Sequence, residues 1–139
     1  MTDIEDMLRH QEGERLTAYV DSVGKTTIGI GRNLTDKGIS AEESRMLFHR
    51  DVADAIEDVL HCFSCYPQLS RPRQLVLISM AFNLGRDRLS KFVRFIGAVH
   101  LGKYDEAAEE MLRSKWAEQV GTRATTLAHM MRTNESQWV

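Results

Sequence analysis

Residues 12–31 read EGERLTAYVDSVGKTTIGIG, and this stretch determines the character of the N-terminal part of the fold. The β-prone segments TAY and KTTIGI flank DSVG at residues 21–24, which has the composition of a tight turn. Gly29 and Gly31 lie inside or beside the second segment, where a glycine marks a bend or a close backbone approach. The stretch therefore predicts a small β-hairpin.

Helical patterns surround this hairpin. Thr2 and Glu5 form a capping box that opens a first helix over about residues 3–12, and Gly13 can end that helix. Ser40 and Glu43 form a second capping box. The helix that follows this second box keeps its apolar spacing as far as residues 66–67.

The chain after residue 70 is also predicted to be helical. Ser70 is expected to cap a helix that is apolar nearly all round, carries Pro72 in its first turn and ends before Gly85. Such a helix belongs in the centre of a core. Three further helices are predicted over residues 90–101, 105–112 and 122–132.

Length and composition indicate one globular α+β domain over residues 1–139, mostly helical with one N-terminal hairpin. The 139 residues are 42% hydrophobic and 27% charged, which is enough to form a core without disulfide or metal staples. Eighteen Lys and Arg balance twenty Asp and Glu to a net charge of −2. This balance lacks the basic footprint of a dedicated nucleic-acid binder.

Targeting and metal signals are weak. The N-terminal residues show neither a signal peptide nor a long apolar run, so we expect a soluble product made in a cytoplasm, without stable membrane insertion. Cys62 and Cys65 form one C-x-x-C, but no second ligand pair follows at zinc-site spacing. Two reduced thiols are therefore expected, with no metal and no cofactor.

Carboxylates are the remaining candidates for chemistry, because the common nucleotide, acyl-serine and zinc-protease motifs are absent. Glu12 ends the first helix, where the helix dipole disfavours an anion by about 0.3–1 kcal/mol and so favours the protonated acid. Asp21 lies in the hairpin turn. Glycoside hydrolysis needs one protonated and one ionised carboxyl group. From these residues alone, two ordinary surface acids among twenty remain the alternative interpretation.

A specific pattern adds to this reading. E-G-x-R-L-x-x-Y-x-D followed by G-x-x-T-I-G-x-G, within residues 12–31, resembles the catalytic segment of phage lysozymes of the T-even type, glycoside hydrolase family 24. The resemblance covers nearly the whole chain. It continues through Leu47, Phe48, Asp51, residues 82–85, 104–108, 115–116, 122–124 and 132–133, and Trp138.

The resemblance implies a lysozyme-like fold with a small lobe over about residues 13–48 and a helical lobe formed by the remainder. It implies cleavage of the β-1,4 bond between N-acetylmuramic acid and N-acetylglucosamine in peptidoglycan. Glu12 would be the general acid, and Asp21 and Thr27 would hold a water on the opposite face of the sugar. A separation of about 6.5–9.5 Å between the two carboxyl groups would give inversion, which we expect.

Further residues align with family positions. Arg123 matches an arginine close to the catalytic glutamate, where it would support the site. Asn33 and Phe82 match substrate-cleft positions, although a core role is an equal alternative for Phe82 because its neighbours are apolar. Phe95 and Glu110 fall at two more cleft positions, where the family carries small polar side chains.

One departure from the pattern concerns the residue after the T-I-G-x-G run, which is commonly His in the family and is Arg32 here. A titrating imidazole is therefore lost from this position. We expect Arg32 to pair with Asp51 and to support the site. The short connection from Gly31 to Ser40 also implies a reduced small lobe.

The resemblance implies peptidoglycan as the partner and no nucleic acid, and we expect a monomer. A phage enzyme of this kind would stay in the host cytoplasm until lysis and reach the periplasmic wall through a holin-like pore. Two alternatives belong to other classes: a non-catalytic wall-binding or regulatory relative, and a DNA-binding module with a helix-turn-helix beginning in residues 39–53.

Overall fold

The computed structural model describes residues 2–136, and the chain divides into two compact units, Met1–Leu47 and Phe48–Val139. The first unit holds helix α1 (Asp3–Glu12) and strands β1 (Arg15–Val20), β2 (Thr26–Gly29) and β3 (Arg32–Asn33). Helix α2 (Ala41–Cys62) begins in this unit and continues into the second. The second unit also contains a 3-10 turn at Tyr66–Gln68, α3 (Arg71–Ser90), α4 (Val93–His100), α5 (Tyr104–Leu112), α6 (Lys115–Val120) and α7 (Thr122–Thr133).

The predicted α+β class is confirmed, since helices dominate and a small antiparallel sheet lies near the N-terminus. The sequence predicts only a hairpin, whereas the sheet has three strands in the order β1-β2-β3. Strand β3 is two residues long, which is too short for a detectable alternation. The lobe boundaries stay a prediction, and Trp138 lies outside the described residues.

Helix α1 begins and ends as its sequence predicts. The Thr2 hydroxyl accepts the amide proton of Glu5 at 3.2 Å, and the Glu5 carboxylate accepts that of Thr2 at 2.8 Å. The hydrogen bonds that the Glu5 carboxylate accepts from the Thr2 amide and from the Thr2 hydroxyl lower the pKa of Glu5. Gly13 ends the helix with a φ of 70°, and its amide donates to the Arg9 carbonyl. Glu12 is therefore fixed as the last helical residue.

The sheet places several candidate residues in register. Thr27 on β2 lies opposite Tyr19 on one side and Asn33 on the other, and Ile28 lies opposite Arg32. The register between β1 and β2 shifts between Arg15 and Tyr19, which marks a bulge. The central strand thus brings Thr27 directly beside Asn33.

An ion pair ties the sheet to the start of α2. The Arg32 guanidinium donates to both carboxylate oxygens of Glu43, at 3.0 and 2.8 Å, and to the Gly38 carbonyl at 3.1 Å. Glu43 also completes the second capping box, because its carboxylate accepts the Ser40 amide and its own amide donates to the Ser40 hydroxyl. These bonds lower the pKa of Glu43 to about 2.

The core of the second unit forms around α3, as its apolar sequence predicts. Val76, Leu77 and Met80 of α3 are fully buried, together with Trp116 of α6 and Met131 of α7. Residues 71–90 are not one regular helix, because Gly85 has a φ of 78° and interrupts it. The Trp116 indole donates to the Asn83 amide oxygen at 2.8 Å, so this buried polar group is satisfied.

Several sequence-based details are corrected here. Ser70 precedes α3, but its hydroxyl donates to Asn134 and makes no capping bond. Helix α2 ends at Cys62, before residues 66–67, and α6 was not predicted. Residues 41–62 form one continuous helix, and the alternative of a helix-turn-helix beginning in residues 39–53 stays a prediction. Cys62 and Cys65 are free thiols.

The low pKa of Glu43 makes a testable prediction about stability. The Arg32–Glu43 pair stabilises the fold above the ordinary carboxyl pKa of 4.5, and this contribution is lost as the pH falls towards 2. The difference in Tm between the wild type and Glu43→Gln should therefore shrink between pH 4.5 and 2. Circular dichroism melts across this range would measure it.

Glu42→Gln is the matched control, because Glu42 lies in the same helical turn and has no ion pair within residues 2–136. A difference between the wild type and Glu43→Gln that is as large at pH 2 as at pH 6 would contradict the prediction.

Candidate active site

Glu12 projects from the end of α1 and is exposed, with the hairpin beside it. A β-carbon placed on Gly31 would lie 2.8 Å from Oε2 of Glu12 and 2.9 Å from its Cδ. The carboxyl group of Glu12 therefore lies against the backbone of Gly31. Arg9 and His10, in the same last turn of α1, are basic, as is usual at this end of a helix.

Asp21 is held by the turn that joins β1 to β2. Its Oδ1 accepts the amide of Val23 at 3.0 Å and the amide of Lys25 at 2.8 Å. Its own amide donates to the Lys25 carbonyl at 2.9 Å, and its carbonyl accepts the Gly24 amide at 3.1 Å. One carboxylate oxygen is thus fixed by the backbone, while Oδ2 makes no hydrogen bond to any group in residues 2–136.

Thr27 shares an anchor with Asp21. The Thr27 hydroxyl donates to the Lys25 carbonyl at 3.0 Å, the same oxygen that accepts the Asp21 amide. Thr27 is only 4% exposed, so its hydroxyl has a defined position. The backbone of Lys25 therefore connects Asp21 and Thr27, which the sequence places six residues apart.

Asn33 stands beside Thr27 but is engaged within its own loop. Its amide nitrogen donates to Asp36 Oδ2, and its amide oxygen accepts the Asp36 amide, both at 3.0 Å. The ammonium group of Lys25 pairs with Asp36 at 3.2 Å. To contact a substrate, Asn33 would use the second hydrogen of its amide nitrogen and the second lone pair of its amide oxygen, which these bonds do not use.

The predicted Arg32–Asp51 pair is corrected to Arg32–Glu43. Glu43 lies three residues after Ser40 on the first turn of α2, within the same compact unit as Arg32. Asp51 is exposed farther along α2, where it lines a cavity of about 220 Å³ with Asp54 and Phe82. The predicted roles of Arg32 and Asp51 in supporting the site stay predictions.

In the second unit, Phe82 is 48% exposed, so the core alternative for this residue is wrong. Its ring meets that of Phe48, which is 54% exposed, in an edge-to-face contact with centroids 6.0 Å apart. This Phe48–Phe82 pair is an exposed aromatic surface. The exposure of Phe48 was not predicted, because helical spacing alone does not distinguish an exposed apolar side chain from a buried one.

Arg123 lies on the first turn of α7, and its side chain is exposed. It lines a groove of about 590 Å³ with Phe82, Asn83 and Ser79. Within residues 2–136, its guanidinium has no ion-pair partner. The structure thus brings Arg123 and Phe82 to one groove.

Phe95 and Glu110 line a common cavity of about 420 Å³. Phe95 is 1% exposed, and its ring packs edge-to-face against Phe63 and Phe92. This packing favours a core role for Phe95 over a substrate contact. Glu110 is half-buried and pairs with Arg113 at 3.3 Å.

Two further features bear on the class of protein. The described part of the chain holds no group of three or more His, Cys, Asp or Glu side chains placed to bind a metal ion. Over the same residues, no helix combines the length and apolarity that crossing a bilayer requires.

Comparison with known proteins identifies relatives over most of the chain. The family model for phage lysozyme matches residues 9–135. Probable T4-type lysozyme 2 of Dictyostelium discoideum is 29% identical over 162 aligned positions, which cover 96% of this chain and 95% of the relative. The endolysin of Salmonella phage P22 is 33% identical over 79% of each chain. The pre-baseplate central spike protein Gp5 of Enterobacteria phage T4 is 30% identical over 92% of this chain and 27% of Gp5.

The family match and these relatives define a lysozyme, a glycoside hydrolase that acts on peptidoglycan. The mostly helical chain with its small N-terminal sheet agrees with this class, as do the carboxyl groups at a helix end and in a hairpin turn. The chain belongs to the phage lysozyme family.

For the turn around Asp21, we predict separately the effect of losing the hydrogen-bond acceptor and the effect of losing the negative charge. Asp21→Ala removes the acceptor of two backbone amides and should lower the free energy of unfolding by about 1–2 kcal/mol. Asp21→Asn keeps an oxygen in that place and should change it by less than about 0.5 kcal/mol. Urea unfolding followed by circular dichroism compares the two. Equal losses of the free energy of unfolding in Asp21→Ala and Asp21→Asn would contradict this prediction.

Proposed function

We propose that this lysozyme hydrolyses the β-1,4 bond between N-acetylmuramic acid and N-acetylglucosamine with inversion at the anomeric carbon. Glu12 gives its proton to the glycosidic oxygen as the bond from C1 to that oxygen breaks. A water oxygen forms the new bond to C1, and Asp21 takes up the proton that this water releases. Two carboxyl groups on opposite faces of a sugar are the minimum set for such a displacement.

The observation that carries this proposal is the shared anchor of Asp21 and Thr27. The Thr27 hydroxyl uses its hydrogen on the Lys25 carbonyl, so its lone pairs are left to accept a hydrogen from water. Asp21 uses Oδ1 on two amides, so Oδ2 is left to accept the other hydrogen. A water held in this way presents an oxygen lone pair to C1, which is the orientation that a nucleophile needs.

Glu12 has the position of an acid and not of a structural ion pair. No salt bridge within residues 2–136 involves it, whereas its neighbour Glu14 pairs with Arg9 at 2.9 Å. As the general acid, Glu12 would give its proton to the leaving oxygen from the end of α1, beside the backbone of Gly31.

The second unit offers surfaces for the polysaccharide. The Phe48–Phe82 pair presents exposed apolar area of the kind that lines ligand sites, and polar groups of Arg123 and Asn83 border the adjoining groove. We propose that sugar rings contact this aromatic pair, with Asn33 and Glu110 as further polar contacts. Arg123 would support the site.

The proposed setting follows from the family resemblance and the endolysin relative. The enzyme would act as a monomer, remain in the host cytoplasm until lysis, and reach the periplasmic wall through a holin-like pore. Nucleic acid would not be a partner, because the net charge is −2.

Replacement of the two acids tests the mechanism. Glu12→Gln and Asp21→Asn should each lower the rate of lysis of purified peptidoglycan by about 10²–10⁴-fold, the usual contribution of a general acid or base. Glu14→Gln is the matched control for Glu12→Gln and should keep the wild-type rate. A turbidity assay measures all three. A Glu12→Gln variant that lyses walls at the native rate would exclude Glu12 as the acid.

The stereochemistry gives a separate prediction. Cleavage of the β-linked substrate should release the α-anomer first, because water enters on the face opposite the leaving oxygen. Proton NMR spectra of fresh digests, recorded before mutarotation, distinguish the two anomers. The β-anomer as first product would indicate retention and a covalent intermediate on Asp21.

A further inference from the structure

We propose that Gly31 positions the carboxyl group of Glu12, which makes it a positioning residue for the proposed general acid. This inference rests on the role given to Glu12 above. The side chain of Glu12 occupies the space that a side chain at position 31 would fill: a β-carbon there would meet Oε2 at 2.8 Å, Cδ at 2.9 Å and Cγ at 3.0 Å. Carbon atoms of folded proteins essentially never come this close to such neighbours.

The other glycines of the first unit show that this contact is special. Gly13, Gly24, Gly29 and Gly38 also have positive φ angles, so their backbone conformation alone accounts for glycine there. Within residues 2–136, none of these four has another group within 4 Å of the position of a β-carbon. At Gly31 the absence of a side chain has a second effect, because it leaves the space that the side chain of Glu12 occupies.

Glu12 needs such a surface because little else fixes its carboxyl group. It ends an exposed helix, and no salt bridge among residues 2–136 restrains it. A flexible glutamate at a helix end samples several rotamers. Contact with the bare backbone of Gly31 limits the carboxyl group to one side, towards the hairpin that also carries Asp21 and Thr27.

A methyl group at position 31 would therefore affect catalysis more than folding. To reach the ordinary contact distance of 3.4 Å from 2.8 Å, the carboxyl oxygen would have to move by about 0.6 Å or more. This movement is easy for the free end of a glutamate side chain. Misplacement of a reacting group by about 1 Å costs on the order of 10²-fold in rate.

The decisive experiment compares Gly31→Ala with Gly29→Ala. The two glycines have φ angles of 69° and 68°, so alanine at either position must adopt a positive φ that L residues rarely adopt. Both variants should lose a similar amount of Tm, on the order of a few degrees. On a soluble peptidoglycan oligomer, Gly31→Ala should lower kcat by about 10–100-fold with KM unchanged. Gly29→Ala should keep kcat within about threefold.

The outcomes separate this proposal from the one on which it rests. Equal losses of kcat in the two alanine variants, with Glu12→Gln inactive, would overturn the role of Gly31 and leave Glu12 as the acid. Full activity of Glu12→Gln would overturn the acid itself. If the alanine variants do not fold, Gly31→Asn and Gly29→Asn replace them, because asparagine tolerates a positive φ and still carries a β-carbon.

The contact can also be measured without catalysis. A nuclear Overhauser effect between the Hα protons of Gly31 and the Hγ protons of Glu12 is expected in the wild type. The same effect should weaken in Gly31→Ala and persist in Gly29→Ala. Its absence from the wild-type spectrum would overturn the proposal whatever the activities show.

Discussion

The hydrogen bonds of the Lys25 backbone are the constraint on which the candidate site depends. The amide of Lys25 donates to the Asp21 carboxylate, and its carbonyl accepts both the Asp21 amide and the Thr27 hydroxyl. Only main-chain atoms take part in these bonds, so any residue except proline, which has no amide hydrogen, could occupy position 25 and keep them. The hairpin therefore fixes the Asp21 carboxylate and the Thr27 hydroxyl through main-chain bonds of the residue that lies between them.

Much of this arrangement could be predicted from the sequence. Helix α1 was predictable to within one residue of its end, because Thr2, Glu5 and Gly13 supply local start and stop signals. The turn at Asp21 was predictable from composition. Strand β3 was not, because two residues carry no period, and neither was α6, which spans six residues between Ser114 and Gly121.

Sequence patterns did not identify which residues pair in the tertiary structure. The family position of Arg32 suggested Asp51, whereas Glu43 is closer along the chain and already fixed by its capping bonds to Ser40. A carboxylate that is ordered in advance costs less entropy to pair. The same limit applies to Phe82 and Phe95: both are aromatic residues in helical sequence, and only packing makes the first exposed and the second buried.

The two free thiols have a consequence for chemical durability. Burial raises the pKa of both Cys62 and Cys65, and the nearby Asp58 raises that of Cys62 further. The thiolate is the form that reacts with oxidants and disulfides, so both sulfur atoms are poor nucleophiles at neutral pH. Slow disulfide formation by Cys62 and Cys65 at neutral pH is therefore expected.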